Sequence, residues 1–273
     1  LRIEEKKVYN GNGNPSSDKG AAMEQENLIQ SRLRELAEKA YQQNVYTYTH
    51  FLSMAELDLY CRMRGELNFI SHQTFGGNAG CERQMVSFGS EDEFGYPGEF
   101  PIALLCVEPN AEKFAEELTH RDYLGALLNL GIEREMLGDI VVRGKRAYIY
   151  CVDTVAAYLQ ENLVKVRHTY VSCRLVENTI PEVAPVLEER VYNVASERID
   201  VLVAAVVNES RSKSSELFTQ KKIFLNGRQM ENPGYQLRQG DVLSIRGYGK
   251  LIYEGLLGET RKGRCRVVVR KYL

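Results

Sequence analysis

The spacing of apolar positions changes period several times along the chain, and each change marks an element. Over about residues 24–43 they recur at helical spacing, with Leu28, Leu33, Leu36 and Ala40 on one side. A short second helix is expected over about 53–64, carrying Met54, Leu57 and Cys61. NFISHQTFGG and ERQMVSFGS read as strands around a turn at Gly76-Gly77. FPIALLCVEP is a buried strand ended by Pro109. A helix is expected over 111–130, with Phe114, Leu118, Leu124, Leu127 and Leu128 inward and Gly131 as its C-terminal cap. GDIVV and RAYIYCV form a hairpin about Arg143-Gly144-Lys145. DTVAAYLQENL is a helix with Asp153 as N-cap, and VRHTYVSCRLV a closing strand.

Helical spacing returns at Ile199, Leu202, Val203 and Val206, and Ser210 can cap a second helix, RSKSSELFT. Strands follow at 222–225 and 242–245, the latter opened by Gly240-Asp241. KLIYEGLL and RCRVVVRKY make a last hairpin through GETRKG. Alternation there puts Arg264, Arg266 and Arg270 on one face and Cys265, Val267 and Val269 on the other.

The expected class is α+β. Residues 1–23 read as a flexible tail, because 10–20 are rich in Gly, Asn and Ser. Residues 24–95 form a small α/β domain. The order βαββαβ over 96–180 is the ferredoxin-like split arrangement that RNA-recognition folds share. A Pro-containing linker, 181–195, leads to a third unit, 196–273.

Composition narrows the function classes. At 273 residues and 44% hydrophobic content the chain can bury real cores. No run approaches the eighteen or so apolar residues of a membrane span, so no membrane insertion is expected. The six cysteines are dispersed without a CxxC, which suits reduced thiols in a cytoplasmic protein. The four histidines show no metal spacing, and neither metal nor cofactor is expected. Net charge is −2 but uneven. Residues 196–273 hold 15 Lys+Arg against 8 Asp+Glu, or +7, and the remainder 20 against 29, or −9. A basic C-terminal third on an acidic body points to a polyanion-binding face.

The stretch KKIFLNGR, Lys221 to Arg228, concentrates that charge around a short strand and an Asn-Gly turn. With its surroundings it carries Arg198 and Asp200, Ser210-Arg211, Asn226-Gly227, Pro233 and Gly240-Asp241. In this set 198–245 resembles the S-four RNA-binding domain, named after a small-subunit ribosomal protein. The resemblance implies an αL-type domain, here with a β-hairpin extension, whose surface meets structured RNA. It points to Arg198, Ser210, Arg211, Lys213, Lys221, Lys222, Asn226 and Arg228. One departure stands out: the family usually has glycine where Lys221 stands, a position that tolerates positive φ. FGGNAGCERQMVSF and HRDYLGALLNLGIEREMLGDIVV resemble the N-terminal and central parts of YlmH-type proteins. With the C-terminal domain, that likeness spans nearly all of 24–273. It implies non-enzymatic bacterial RNA binders associated with rRNA and tRNA on the large ribosomal subunit. The family is linked to stalled peptidyl-tRNA, to rescue by C-terminal tailing and, in an older connection, to cell division.

Further candidates are Arg143, Lys145 and Arg146 at the central hairpin tip, and Arg264 and Arg266 on the last strand. Each also reads as an ordinary solvated cation. Tyr148 and Tyr150 alternate where RNA-recognition folds stack bases, although sheet packing explains them at least as well. A kinase loop at His120-Arg121-Asp122 would need asparagine at 127, where Leu127 stands. Two rival classes stay open. RNA-modifying enzymes (pseudouridine synthases or rRNA methyltransferases) also carry S-four domains, usually ahead of the catalytic one, and a cell-division adaptor is the other. The expected partner is structured RNA, rRNA and possibly peptidyl-tRNA, without DNA sequence specificity, bound by a monomer.

Overall fold

The computed structural model describes residues 15–78, 80–177 and 180–272, with the side chains of 15–22 and 211 left aside. Helix α1, Pro15–Gln43, begins well before the expected 24. Pro15 suits a first helical position, and Ala21, Ala22, Met23 and Glu24 are good helix formers. The rest of the expected tail, residues 1–14, lies outside the described residues. Leu28, expected inward, is 72% exposed, because the packed part of α1 starts at Ile29.

Strand β1 is Thr47–Tyr48, and α2 is Met54–Met63. A capping box starts α2: the Ser53 N–H donates to Glu56 Oε2 at 2.6 Å, and Ser53 Oγ accepts the Glu56 N–H at 3.4 Å. Strands β2, His72–Phe75, and β3, Met85–Phe88, and helix α3, Glu91–Phe94, complete the region. The antiparallel order is β1-β3-β2. Leu33, Leu36, Ala37 and Ala40 of α1 pack with Tyr60 and Met63 of α2 on Val86 and Phe88.

The middle region runs β4 Ile102–Pro109, α4 His120–Asn129, β5 Leu137–Arg143, β6 Arg146–Val152, α5 Asp153–Asn162, β7 Lys165–Val166 and β8 Thr169–Val176. Its antiparallel order is β5-β6-β4-β8-β7, with the first strand between the third and the last long one. The single helix expected over 111–130 is instead a 3-10 turn, Glu112–Phe114, an extended break, and α4. Asp122 Oδ2 takes the Thr119 N–H at 2.8 Å and its hydroxyl at 2.7 Å, so the helix restarts there. Phe114 and Leu128 are accordingly 81% and 43% exposed rather than inward. Asp153 is the first residue of α5, since β6 runs directly into the helix and Val152 takes the cap position.

The last region contains β9 Leu187–Val194, α6 Ile199–Val207, α7 Arg211–Thr219, β10 Ile223–Leu225, β11 Arg228–Gln229, β12 Val242–Ile245, β13 Gly249–Glu259 and β14 Cys265–Tyr272. The antiparallel order is β11-β10-β12-β13-β14-β9. The expected linker 181–195 therefore contains a strand, paired with β14 from Leu187 opposite Tyr272 to Val194 opposite Cys265. Opposite charges face each other across it, Glu188 with Lys271 and Glu189 with Arg270.

Each of the two larger sheets has helices on one face. Tyr123, Leu127 and Leu159 pack on Leu105, Val107 and Ile149. Ile199, Leu202, Leu217 and Phe218 pack on Ile223, Leu243, Leu251 and Val267. The first region meets the other face of both. Phe51, Cys81 and Met85 cover Leu104, Cys106, Tyr148 and Tyr150 of the middle sheet. On the last sheet Phe224 and Ser244 are buried on the side away from α6 and α7. Here Gln229 N–H donates to Asp58 Oδ1 at 3.1 Å, and Lys250 Nζ to the Gly80 carbonyl at 3.2 Å.

Candidate nucleic-acid interface

Helix α7 ends in a left-handed stop. The Lys222 N–H returns to the Leu217 carbonyl and the Lys221 N–H to the Phe218 carbonyl, both at 2.9 Å, with Lys221 at φ 56°. This is the Schellman pattern, whose left-handed residue is most often glycine. The stop turns the chain straight into β10. At the far end of β10, Asn226 and Gly227 have φ 52° and 78°, and Leu225 faces Arg228. Both positive angles suit a two-residue hairpin turn.

Several motif residues are consumed in holding this frame. The Arg198 guanidinium forks onto Asp200, Nε to Oδ1 at 3.0 Å and Nη2 to Oδ2 at 3.1 Å. Asn226 Nδ2 donates to Asp241 Oδ1, and its Oδ1 accepts the Val242 N–H, both at 2.8 Å. Asp241 is buried and also takes the Arg238 N–H at 2.8 Å. The Asp200 N–H reaches the Pro233 carbonyl at 3.3 Å. Ser210 Oγ caps α7 by accepting the Lys213 N–H at 3.4 Å, and Lys213 Nζ holds Glu209 at 2.8 Å. Arg211 takes the first position of α7.

The cations left over gather beside β10. Lys221 and Arg228 are exposed and Lys222 half-buried, none with an ion-pair partner among the described residues. Arg246 joins them: its N–H donates to the Lys222 carbonyl at 3.0 Å, and its guanidinium lies 5.0 Å from the Phe224 ring centre. Sequence reasoning missed Arg246. The signal was available, since pairing LNGR-side strand 222–225 with 242–245 brings the residue after the second strand beside the start of the first.

A second group sits across the sheet. Arg264 is exposed and lines, with Ser210 and Glu209 at the start of α7, a concavity of about 520 Å³. Arg266 is exposed opposite Asn193, while Arg270 is paired with Glu254. The central hairpin tip is more occupied. Arg143 Nε donates to the Glu182 carbonyl at 3.2 Å and Lys145 Nζ to the Glu112 carbonyl at 2.6 Å. Arg146 lies 3.3 Å from Glu108, which Arg174 approaches from the other side at 3.6 Å.

Tyr148 and Tyr150 are buried under the first region, and Asn78 Nδ2 donates to the Tyr150 hydroxyl at 3.0 Å. The packing role holds and base stacking on that face is blocked. The same contact explains Gly77: at φ 107° a Cβ would fall 2.2 Å from the Tyr150 ring. Asp122 is a helix cap, its carboxyl held below the usual range by the Thr119 hydroxyl and N–H, with Arg167 3.6 Å away. All six cysteines are free, and burial pushes the Cys81, Cys151 and Cys173 thiols up to about 12. No helix among the described residues is long and apolar enough to cross a membrane.

Comparison with known proteins completes the description. Residues 97–179 match the family model described as "Putative RNA-binding domain in YlmH". The ribosome-associated protein quality control protein P2 of Bacillus subtilis is 31% identical over 158 residues, 58% of this chain. That alignment spans 61% of the relative's own length. Among solved structures, the cell division protein ylmH from Streptococcus pneumoniae is 24% identical with a TM-score of 0.46. The match covers 57% of this chain and 93% of that one.

Proposed function

We propose that this chain is a non-enzymatic protein of YlmH type that binds rRNA and tRNA on the large ribosomal subunit, a reading supported by the match of residues 97–179 to that family's RNA-binding domain. Its role is in ribosome-associated quality control, on complexes that hold stalled peptidyl-tRNA. It acts in the cytoplasm as a monomer. The observation that carries this reading is the group Lys221, Lys222, Arg228 and Arg246, which flanks β10 without ion-pair partners among the described residues. Such cations are free to replace counterions along a phosphate backbone. The name of the Bacillus subtilis relative, a ribosome-associated quality control protein, supports the ribosomal setting.

The strand order of the middle sheet supports a ferredoxin-like domain over 96–180. The internally bonded set Arg198, Asp200, Asn226 and Asp241 supports an S-four domain over 196–273, to which β9 is added. A binding role without turnover fits the use of the acids here. Asp122 caps a helix, and Asp241 ties Asn226 to the Arg238 backbone.

Co-sedimentation of the full chain with ribosomes at graded salt tests the proposal. Lys222→Ala and Arg246→Ala should each weaken association and make its salt dependence shallower by roughly one unit. Equal co-sedimentation of the double variant and the parent across the salt series would refute the assignment. The non-enzymatic part is tested by mass spectrometry of rRNA: a methyl group or uridine isomer that vanishes on gene deletion would overturn it.

A further inference from the structure

Where the first region meets the last sheet there is a cavity of about 420 Å³. That is the size range of small-molecule sites, and one nucleotide fits within it. Its two sides differ in chemistry. Met54, Leu57 and Cys61 of α2 supply an apolar wall. Thr74 of β2, and Ser244 of β12 hydrogen-bonded to the Glu82 carboxyl, supply polar groups. A flat heterocycle with donors and acceptors along one edge matches such a pair of walls.

The mouth is positively charged. Arg64, just past the end of α2, lines the cavity and is exposed. Arg228 is exposed and follows directly on Gly227 of the lining, and both arginines pull the Cys61 thiol down against the upward push of its burial. Neither has an ion-pair partner among the described residues. Two free guanidinium groups over one opening suit a phosphate. Lys250 also lines the cavity with Glu82, whose carboxyl is raised by burial and by neighbouring Asp139 and lowered by Lys250. The rim includes Asn226 and Gly227, so the opening lies on the path from Lys222 to Arg228.

From this juxtaposition we infer that the cavity receives one unstacked nucleotide, its base between α2 and the Thr74–Ser244 wall and its phosphate on Arg64 and Arg228. The inference rests on the proposed RNA-binding role and locates a base-reading site within it. The nucleotide belongs to an RNA strand that tracks β10, or is a free mononucleotide, since the two share this chemistry.

The test uses the full chain and short single-stranded RNA carrying 4-thiouridine, with ultraviolet crosslinking and peptide mass spectrometry. Crosslinks are expected on residues 54–64 and 72–75. Thr74→Tyr fills the cavity from an exposed position in a strand, where tyrosine is well tolerated. It should remove those crosslinks and weaken RNA binding about tenfold, the loss of one base contact, with the thermal midpoint preserved. Lys222→Ala should weaken binding overall yet leave the crosslink positions unchanged. Millimolar UMP or AMP that suppresses the crosslinks assigns the site to the free nucleotide, and suppression only by unlabelled oligonucleotide assigns it to a strand. Both outcomes support the site. Full-strength RNA binding with crosslinks confined to 211–228 and 246, unaffected by Thr74→Tyr, overturns the inference and leaves the RNA-binding role standing. A chain that captures neither RNA nor mononucleotide overturns both.

Discussion

Lys221 occupies a left-handed position, φ 56°, at a helix stop whose two return bonds are both formed. A side chain there costs conformational energy that glycine avoids. Lys221→Gly should therefore raise stability by about 0.5–1 kcal/mol while weakening RNA binding, because the charge goes with the side chain. Thermal melting and ribosome co-sedimentation read the two effects separately. A variant that binds normally and melts earlier would mean that the lysine serves the fold. Asp122 makes a second test at this scale. Its carboxyl is depressed by the Thr119 hydroxyl and N–H, so the folded form binds its proton less readily than the unfolded chain does. Its stabilising contribution is fully present above the unfolded carboxylate range, near pH 4, and is lost as pH falls through the lower folded value. Asp122→Asn should flatten part of the loss of melting temperature on acidification below about pH 4. Equal slopes for the two proteins would remove Asp122 from the acid response. At this scale the structure adds partners to the motif residues: the polar atoms of Asn226 and Arg198 face Asp241 and Asp200.

At the scale of elements, β9 is the instructive case. Its sequence, LEERVYNV, has few consecutive apolar residues and follows two prolines, so local patterning reads as connection. Only the partner strand makes it a strand: β14 offers Arg270 and Lys271 opposite Glu189 and Glu188. A fragment starting at 196 leaves the β14 edge open, whereas one starting at 181 covers it. The longer fragment should melt higher and stay monomeric at concentrations where the shorter self-associates. Sedimentation velocity and melting curves decide this, and identical behaviour would mean β9 adds nothing to the sheet. The helix over 111–130 failed for the complementary reason. Its apolar positions fit a helical period throughout, yet the Thr119–Asp122 cap starts a new helix and leaves Phe114 outside.

For the whole molecule, the first region acts as a wedge against both larger sheets, and Asp58 is one of its fastenings. Its carboxylate takes the Gln229 N–H at 3.1 Å and meets Arg62 at 2.9 Å. Asp58→Ala leaves that buried-side N–H without an acceptor and should cost about 1–3 kcal/mol. Hydrogen exchange should then rise selectively at α2 and β11; uniform exchange across all three sheets would show that the joint does not depend on Asp58. The short-range signals in the chain sufficed for most strands, for the cap at Ser210, and for the turn at Asn226-Gly227. Each of these depends on residues a few positions apart, whose φ preferences and hydrogen bonds are local. The basic character of 196–273 was equally plain, because charge can be counted along the chain. What stayed hidden is what covers what. Tyr148 and Tyr150 lie under Phe51 and Met85 instead of facing RNA. Arg143, Lys145 and Arg146 are engaged by Glu182, Glu112 and Glu108, and Arg246 stands beside Lys222. These relations join residues tens of positions apart, and a one-dimensional pattern carries no information about which exposed face finds which partner. Burial and pairing across the assembled sheets decide which cations and aromatic rings are left without internal partners among the described residues.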